Sequence, residues 1–274
     1  MKRWLFILSS VGLMLGGCVV SNQSSSNATS PASAPEKSLD NLKTQINSLE
    51  KKCLVGSKNS CEKLMEYLEG EKIVPFAKKG CELGGVLSCF KLYNSDEGNK
   101  TIDFQKKLKT MAKKECENGN MKGCYVIGKL LEDESYKIEN DNGFASYLKK
   151  GCQNGEGNSC CALSHLYFQG HPAVGEDETK SREMAEKCCQ LGVGEGCYLV
   201  ATGSSLPISK ELELLKKGCQ LGSSVSCSYL GNLYLKGKEV KKDIRRAKQY
   251  YTIGCFLGDY FSCEDLKRIK EKNP

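Results

Sequence analysis

Histidine is scarce in this 274-residue chain, with two copies, and tryptophan occurs once. His165 and His171 alone leave a histidine-based metal centre short of donors, because structural zinc takes four protein ligands and catalytic zinc three. Cysteine pairs two to four residues apart, the usual zinc spacing, are also missing. Neither a metal nor another cofactor is therefore expected. The one prominent apolar stretch, WLFILSSVGLMLG at residues 4–16, is too short to span a bilayer. Basic residues outnumber acidic ones by 40 to 33. They are not gathered among aromatics as a nucleic-acid surface requires, so no nucleic-acid partner is expected.

What the chain has in abundance is cysteine, 17 in all. That density is rare in a reducing cytosol. Fourteen of them fall into one recurring frame: CLVGSKNSC (53–61), CELGGVLSC (81–89), CENGNMKGC (116–124), CQNGEGNSC (152–160), CQLGVGEGC (189–197), CQLGSSVSC (219–227) and CFLGDYFSC (255–263). In each copy seven residues separate the cysteines, glycine stands three after the first, and serine or glycine precedes the second. The first cysteines recur at intervals of 28 to 37 residues, most of them close to 36. A period of that size is the mark of stacked helical hairpins.

The flanks agree. Helical patterns such as ELELLKKGC and DIRRAKQYYTIGC precede the frame, and CSYLGNLYLKG and CYVIGKLLEDE follow it. The glycines suit the left-handed position that ends a helix, and the small residue before the second cysteine opens the next one. Each nine-residue clasp thus joins two antiparallel helices whose backbones approach closely enough for a disulfide. The expected bridges are Cys53–Cys61, Cys81–Cys89, Cys116–Cys124, Cys152–Cys160, Cys189–Cys197, Cys219–Cys227 and Cys255–Cys263. In a chain-entropy model each contributes roughly 2.5 kcal/mol before native strain. Lysine pairs before the clasps, Lys78/Lys79 and Lys216/Lys217 among them, offset the negative ends of helix dipoles. The fold class predicted is all-α: an α-solenoid of stacked antiparallel hairpins over residues 41–274. Leu39, Leu42, Ile46 and Leu49 form one apolar face on the helix before the first clasp, fit to dock on the next hairpin.

Lys2 and Arg3, the short apolar stretch and the ending Leu15-Gly-Gly-Cys18 make an export signal. The ending resembles the lipobox of bacterial lipoproteins. That resemblance implies a signal peptide at 1–17, an acylated Cys18 and a membrane held through the lipid. An ordinary secretory signal is the alternative. Residues 18–40 are rich in Ser, Asn, Ala and Pro and read as a flexible tether reaching about 26 Å. Val19 beside the lipid position favours the periplasmic face of the outer membrane or the cell surface.

Leu230, Gly231, Tyr234 and Gly237, followed by Val240, Asp243, Ala247 and Tyr251, resemble the Sel-one-like repeat, a relative of the tetratricopeptide repeat. Leu163, Tyr167 and Gly170 echo it, as do Ile127 and Gly128. With its clasps the chain is similar to the Helicobacter cysteine-rich protein family, secreted and disulfide-stapled forms of this repeat. The resemblance covers about residues 41–270 and thins at 61–100 and 197–210, where the hairpins are short.

Members of that family are commonly described as β-lactamases or penicillin-binding proteins, which makes such a hydrolase the alternative function here. Its chemistry needs S-x-x-K together with motifs of the S-D-N and K-T-G kind. Four S-x-x-K matches occur, at Ser48/Lys51, Ser60/Lys63, Ser88/Lys91 and Ser146/Lys149. With 27 serines and 35 lysines, chance alone supplies about three. Ser60 with Lys63 and Ser88 with Lys91 sit at helix starts and are the candidates, yet S-D-N and K-T-G are absent.

A binding role is favoured instead. Five residues after each second cysteine stand Glu66, Asn94, Lys129, His165, Thr202 and Asn232, polar positions in apolar helices. Phe90, Tyr125 and Tyr198 lie one helical turn earlier on the same face. Stacking would align them as a ladder on the concave side, where solenoids bind partners. Candidate ligand contacts are Phe90, Asn94, Tyr125, Lys129, His165, Tyr198 and Asn232. The expected ligand is an envelope peptide, glycan or protein.

Cys161 and Cys188 remain. They face each other across one hairpin, which points to an eighth bridge, Cys161–Cys188, closing a 28-residue loop worth roughly 3.6 kcal/mol in the same model. A slipped clasp using Cys160 and Cys189 differently, or two buried free thiols, are the other readings.

Overall fold

The computed structural model describes residues 34–272 apart from 96, 99 and 136–142. The expected signal peptide and Cys18 lie outside the described residues, as does most of the tether. Among the described residues there are helices and no β-strand. Fourteen α-helices follow one another in seven clasped hairpins: α1 (Ala34–Leu54) with α2 (Lys58–Leu64), α3 (Val74–Glu82) with α4 (Val86–Asn94), α5 (Ile102–Glu117) with α6 (Met121–Ser135), α7 (Gly143–Gln153) with α8 (Gly157–Gln169), α9 (Glu178–Gln190) with α10 (Gly194–Gly203), α11 (Ile208–Gln220) with α12 (Ser224–Lys236), and α13 (Ile244–Leu257) with α14 (Tyr260–Lys272). Each packs chiefly on its sequence neighbours, as in a solenoid.

The clasp repeats one backbone device seven times. Every clasp glycine has positive φ, from 76° at Gly84 to 109° at Gly258. The next residue's N–H then reaches back to the carbonyl of the residue before the first cysteine: Gly85 to Gly80 (2.8 Å), Glu156 to Gly151 (2.9 Å), Ser223 to Gly218 (3.0 Å). This is the Schellman arrangement, and it satisfies carbonyls that the helix end would leave unpaired. Side-chain caps open several following helices: Ser57, Glu156 and Ser223 accept from backbone N–H groups of α2, α8 and α12. Lysines occupy the last turns of α1, α3, α5, α7, α9 and α11, next to the exposed carbonyls.

Among the described residues eight disulfides are formed: the seven within clasps and Cys161–Cys188, whose Cα atoms lie 5.4 Å apart. Leu42 and Ile46 are buried, with Leu39 and Leu49 packed against the same core. The expected tether ends earlier than residue 40, because α1 already begins at Ala34. Pro35 suits the first turn of a helix, and the apolar face of α1 extends the helix by docking on α11 and α13 as well as on α2 and α3.

That docking straps the first hairpin across the last two while leaving Leu54, Val55, Tyr260 and Phe261 of the first and last clasps exposed. α2 has only seven residues, and the segment after it crosses to the sixth and seventh clasps. Glu69 N–H donates to Leu257 O (3.0 Å), and Ser224 Oγ donates to the Glu69 carboxylate (2.8 Å). Lys72 Nζ donates to Phe256 O (2.6 Å) and Cys255 O (3.3 Å) at the negative end of α13. Tyr67 lies so close to Gly222 that a Cβ built there would stand 2.6 Å from its ring.

Candidate ligand-binding hollow

Residues of the even-numbered helices α2, α4, α6, α8, α10 and α12 border one hollow. The residue two before each second cysteine faces inward on four of them: Leu87, Asn158, Glu195 and Val225 share this hollow of about 230 Å³. Tyr67 and Glu69, from the crossing segment, form the opposite wall, and Lys63, Lys91 and Tyr125 complete it.

Its electrostatics are those of paired charges. Glu66 binds Lys63 and, at 2.8 Å, Lys122. Burial works to raise the Glu66 carboxyl, but the charge and hydrogen bonds of the two lysines prevail and hold it below the usual carboxylate range. Burial likewise opposes the Lys63 ammonium, whose hydrogen bond to Glu66 nevertheless raises it. Lys129 pairs with Glu132 at 2.7 Å. His165 Nε2 meets Glu195 Oε1 at 3.0 Å. That hydrogen bond, with the fields of Lys91 and Lys129, keeps the Glu195 carboxyl low against the opposing effect of burial.

The expected ladder is divided. Tyr125 lines the hollow half-buried, edge-on to Phe90 at 5.9 Å. Phe90 itself is buried in the core, so its ring is not offered to a ligand. Helical periodicity put the two aromatic positions on one face; packing turned the ring of α4 inward. Cys161, at the same register, is buried in its bridge. Tyr198 is half-buried and edge-on to Tyr229 at 5.9 Å. Asn94 is exposed at the end of α4. The Asn232 amide bonds back to Ser228 O at 3.2 Å. His165 and Thr202 border a second cavity of about 260 Å³, with Phe168, Arg182 and Leu199. Glu195, Tyr67 and Lys122 were missed; only Glu195 carries a sequence signal, its position before the glycine of a clasp.

The two S-x-x-K serines are placed unfavourably for nucleophilic attack. Ser88 is fully buried against Gly80, and Ser60 is buried with its hydroxyl 2.9 Å from that of Ser57. Lys63 and Lys91 face the hollow while their serines do not. Among the described residues no group of three or more His, Cys, Asp or Glu is placed to hold a metal ion, and no helix is long and apolar enough to cross a membrane.

A model of the Sel1 repeat matches residues 157–193 and 224–259, that is, α8 with α9 and α12 with α13 and the turns that follow. The chain is 33% identical over 89 residues to cytochrome c oxidase assembly factor 7A of Xenopus laevis, covering 31% of this chain and 38% of that protein. It thus spans under two fifths of the length of the curated relatives it matches. Among solved structures, a Sel1 repeat protein from Oxalobacter formigenes superposes with a TM-score of 0.55 at 12% identity, covering 82% of this chain and 89% of that one. Helicobacter pylori cysteine rich protein B is 24% identical over 62% of this chain and all of its own, with a TM-score of 0.29.

Proposed function

We propose that this chain, a Sel1-repeat solenoid and so a binding scaffold by architecture, works as a lipid-anchored module of the bacterial cell envelope. Its ligand is an envelope peptide, glycan or protein held on the concave side. The observation that carries this reading is the hollow, in which six separate stretches of chain bring two tyrosines and several charged side chains onto one small surface. Half-buried tyrosines beside fixed charges provide apolar contact and hydrogen bonding together, the combination small binding sites use. Catalysis is the weaker reading, because the hydroxyls of Ser60 and Ser88 are buried.

The envelope placement rests on the leader and Cys18. Replacing Cys18 by Ala should abolish labelling with fatty acid and release the protein from the membrane fraction. Binding is tested by Tyr125→Ala, Lys91→Ala and Glu195→Gln combined, three residues that line the hollow. The fold should survive, as judged by circular dichroism and intact disulfides, and capture of solubilised envelope peptidoglycan or protein should be lost. Equal capture by parent and variant would reject the hollow as the site.

A further inference from the structure

Tyr260 and Phe261 are adjacent apolar side chains on the surface, 68% and 71% exposed, with rings edge-on at 5.7 Å; Ile102 and Phe168, away from the clasps, are also exposed. At the other end of the chain Leu54 and Val55 are 59% and 86% exposed. Leu54, Val55, Tyr260 and Phe261 lie in the first or last clasp.

Their positions have counterparts inside the stack. Tyr260 is the fifth residue after the first cysteine of its clasp. In the fourth clasp that residue is Gly157, and a Cβ built on it would stand 2.5 Å from Val193 and 3.3 Å from Leu191 in the fifth clasp. In the fifth clasp it is Gly194, against Gly218 O (2.4 Å from a built Cβ) and Ser223 of the sixth. Val86 and Gly157 are buried at this register, and so are Gly194 and Ser224. Val86 shows that the register also takes a side chain larger than serine. So in the fourth and fifth clasps this residue seats on the turn of the next, at the residues one before, two after and four after its first cysteine. Lys58 and Met121, at the same register of the first and third, are only partly buried. Among the described residues nothing seats on Tyr260.

The receiving positions in the first clasp are Lys52, Val55 and Ser57. Val55 corresponds to Leu191 and Ser57 to Val193, and Ser57 is the smaller, leaving room for a ring. We infer that the two ends of the solenoid are complementary, and that Tyr260 and Phe261 of one copy dock on Leu54, Val55 and Ser57 of a second copy, continuing the internal stacking from chain to chain. Such a contact is heterologous: each copy contributes a different surface, so association propagates head to tail. A solenoid that ended in polar caps would not expose these side chains.

The heterologous geometry gives a test that an ordinary dimer would not pass. The full chain with Cys18→Ala, in non-ionic detergent so that no acyl chain contributes, should show a mass in sedimentation equilibrium that rises with concentration. A tail variant, Tyr260→Ser with Phe261→Ser, and a head variant, Val55→Glu, should each remain monomeric. These side chains are exposed, so folding should be unaffected, and disulfide content and circular dichroism check it. Mixed in equal amounts, the two variants should form a one-to-one complex and nothing larger, because each retains the end the other lacks. Concentration-independent mass for the parent overturns the inference. So does failure of the mixed variants to pair, which would point to a like-with-like contact.

Discussion

A Cβ built on Gly151 would stand 2.3 Å from Ser159 Oγ, so the residue before one clasp cysteine and the residue before the other touch. The same contact recurs at Gly80/Ser88, Gly218/Ser226 and Gly254/Ser262. Where the first position is large, the second is glycine: Gly123 faces Glu115 and Gly196 faces Cys188, each with a built Cβ 2.7 Å from its partner's. Space for one side chain is shared between two helices. In the first clasp, Lys52 and Ser60 both carry one, and the Ser60 hydroxyl turns to Ser57 instead.

This reciprocity predicts a rescue. Gly151→Ala should destabilise the protein by about 1–3 kcal/mol through overpacking. Adding Ser159→Gly should recover most of that loss, less the roughly 1 kcal/mol that glycine costs inside a helix. Ser159→Ala alone should be neutral or stabilising, since the Ser159 hydroxyl is buried without a partner. Urea denaturation of the parent, Gly151→Ala, Ser159→Gly and the two combined, treated as a double-mutant cycle, measures the coupling. Additive effects would mean that the two positions do not compete.

The pairs were visible in the sequence as strings; their contact was not. Periodicity and the clasp glycines predict hairpins because those signals are local, acting within one turn of chain. The strap was illegible for the opposite reason. Glu69 meets Ser224 across 155 residues, and no pattern near Glu69 marks it. The ladder was half legible, since a helical period assigns Phe90 and Tyr125 to one face but cannot say how far that face rotates into the core.

Glu62 is a cap supplied from a different helix. α4 begins after Gly85, which has no side chain to offer, and the buried Glu62 carboxylate of α2 accepts from Ser88 N (2.9 Å) and Leu87 N (3.3 Å). Glu62→Ala leaves those donors unpaired in the interior and should cost about 1–3 kcal/mol. Glu62→Gln keeps an acceptor without the charge and should lose less. Gly85→Ser, which would bring its own cap, should clash instead, because a Cβ there meets Glu62 Oε1 at 2.3 Å. Combined with Glu62→Ala it should be tolerated. Denaturant midpoints rank the variants.

Acid should weaken the charge pairs of the hollow. The carboxyls of Glu66 and Glu195 titrate below their ordinary range in the folded protein. A depressed folded value means that the stabilisation is fully present above the unfolded carboxylate range and is lost as pH falls through the folded value. Since His165 and Glu195 are both about half exposed, solvent screening keeps their share within about 1 kcal/mol. Glu195→Gln should therefore flatten the acid limb of stability against pH without changing the plateau shape near neutrality. An unchanged acid limb would show that the pair contributes nothing to folding.

The bridge between Cys161 and Cys188 depends on the same shared space. Cys188 occupies the position that is glycine in four other clasps, and it fits because its counterpart, Gly196, has no side chain. Enlarging Gly196 should press on the Cys188 Cβ and on the backbone of Cys189 and Ala185. Cys161→Ala with Cys188→Ala opens a 28-residue loop and should cost roughly 3.6 kcal/mol in the chain-entropy model, against roughly 2.5 kcal/mol for any one clasp. Cys161→Ala with Cys188→Gly and Gly196→Ser installs the majority pattern of the other clasps. Its loss should exceed that of the double alanine variant, since a Cβ at position 196 would still meet Cys189 N at 2.4 Å and Ala185 O at 2.8 Å. Gly196→Ser with both cysteines retained should lose stability through the clash instead. Peptide mapping without reduction, after alkylation of free thiols, checks the premise: Cys161 and Cys188 should appear in one linked peptide and carry no label. Label on either, or a link from Cys161 to Cys189, would remove the physical basis of the stability ranking.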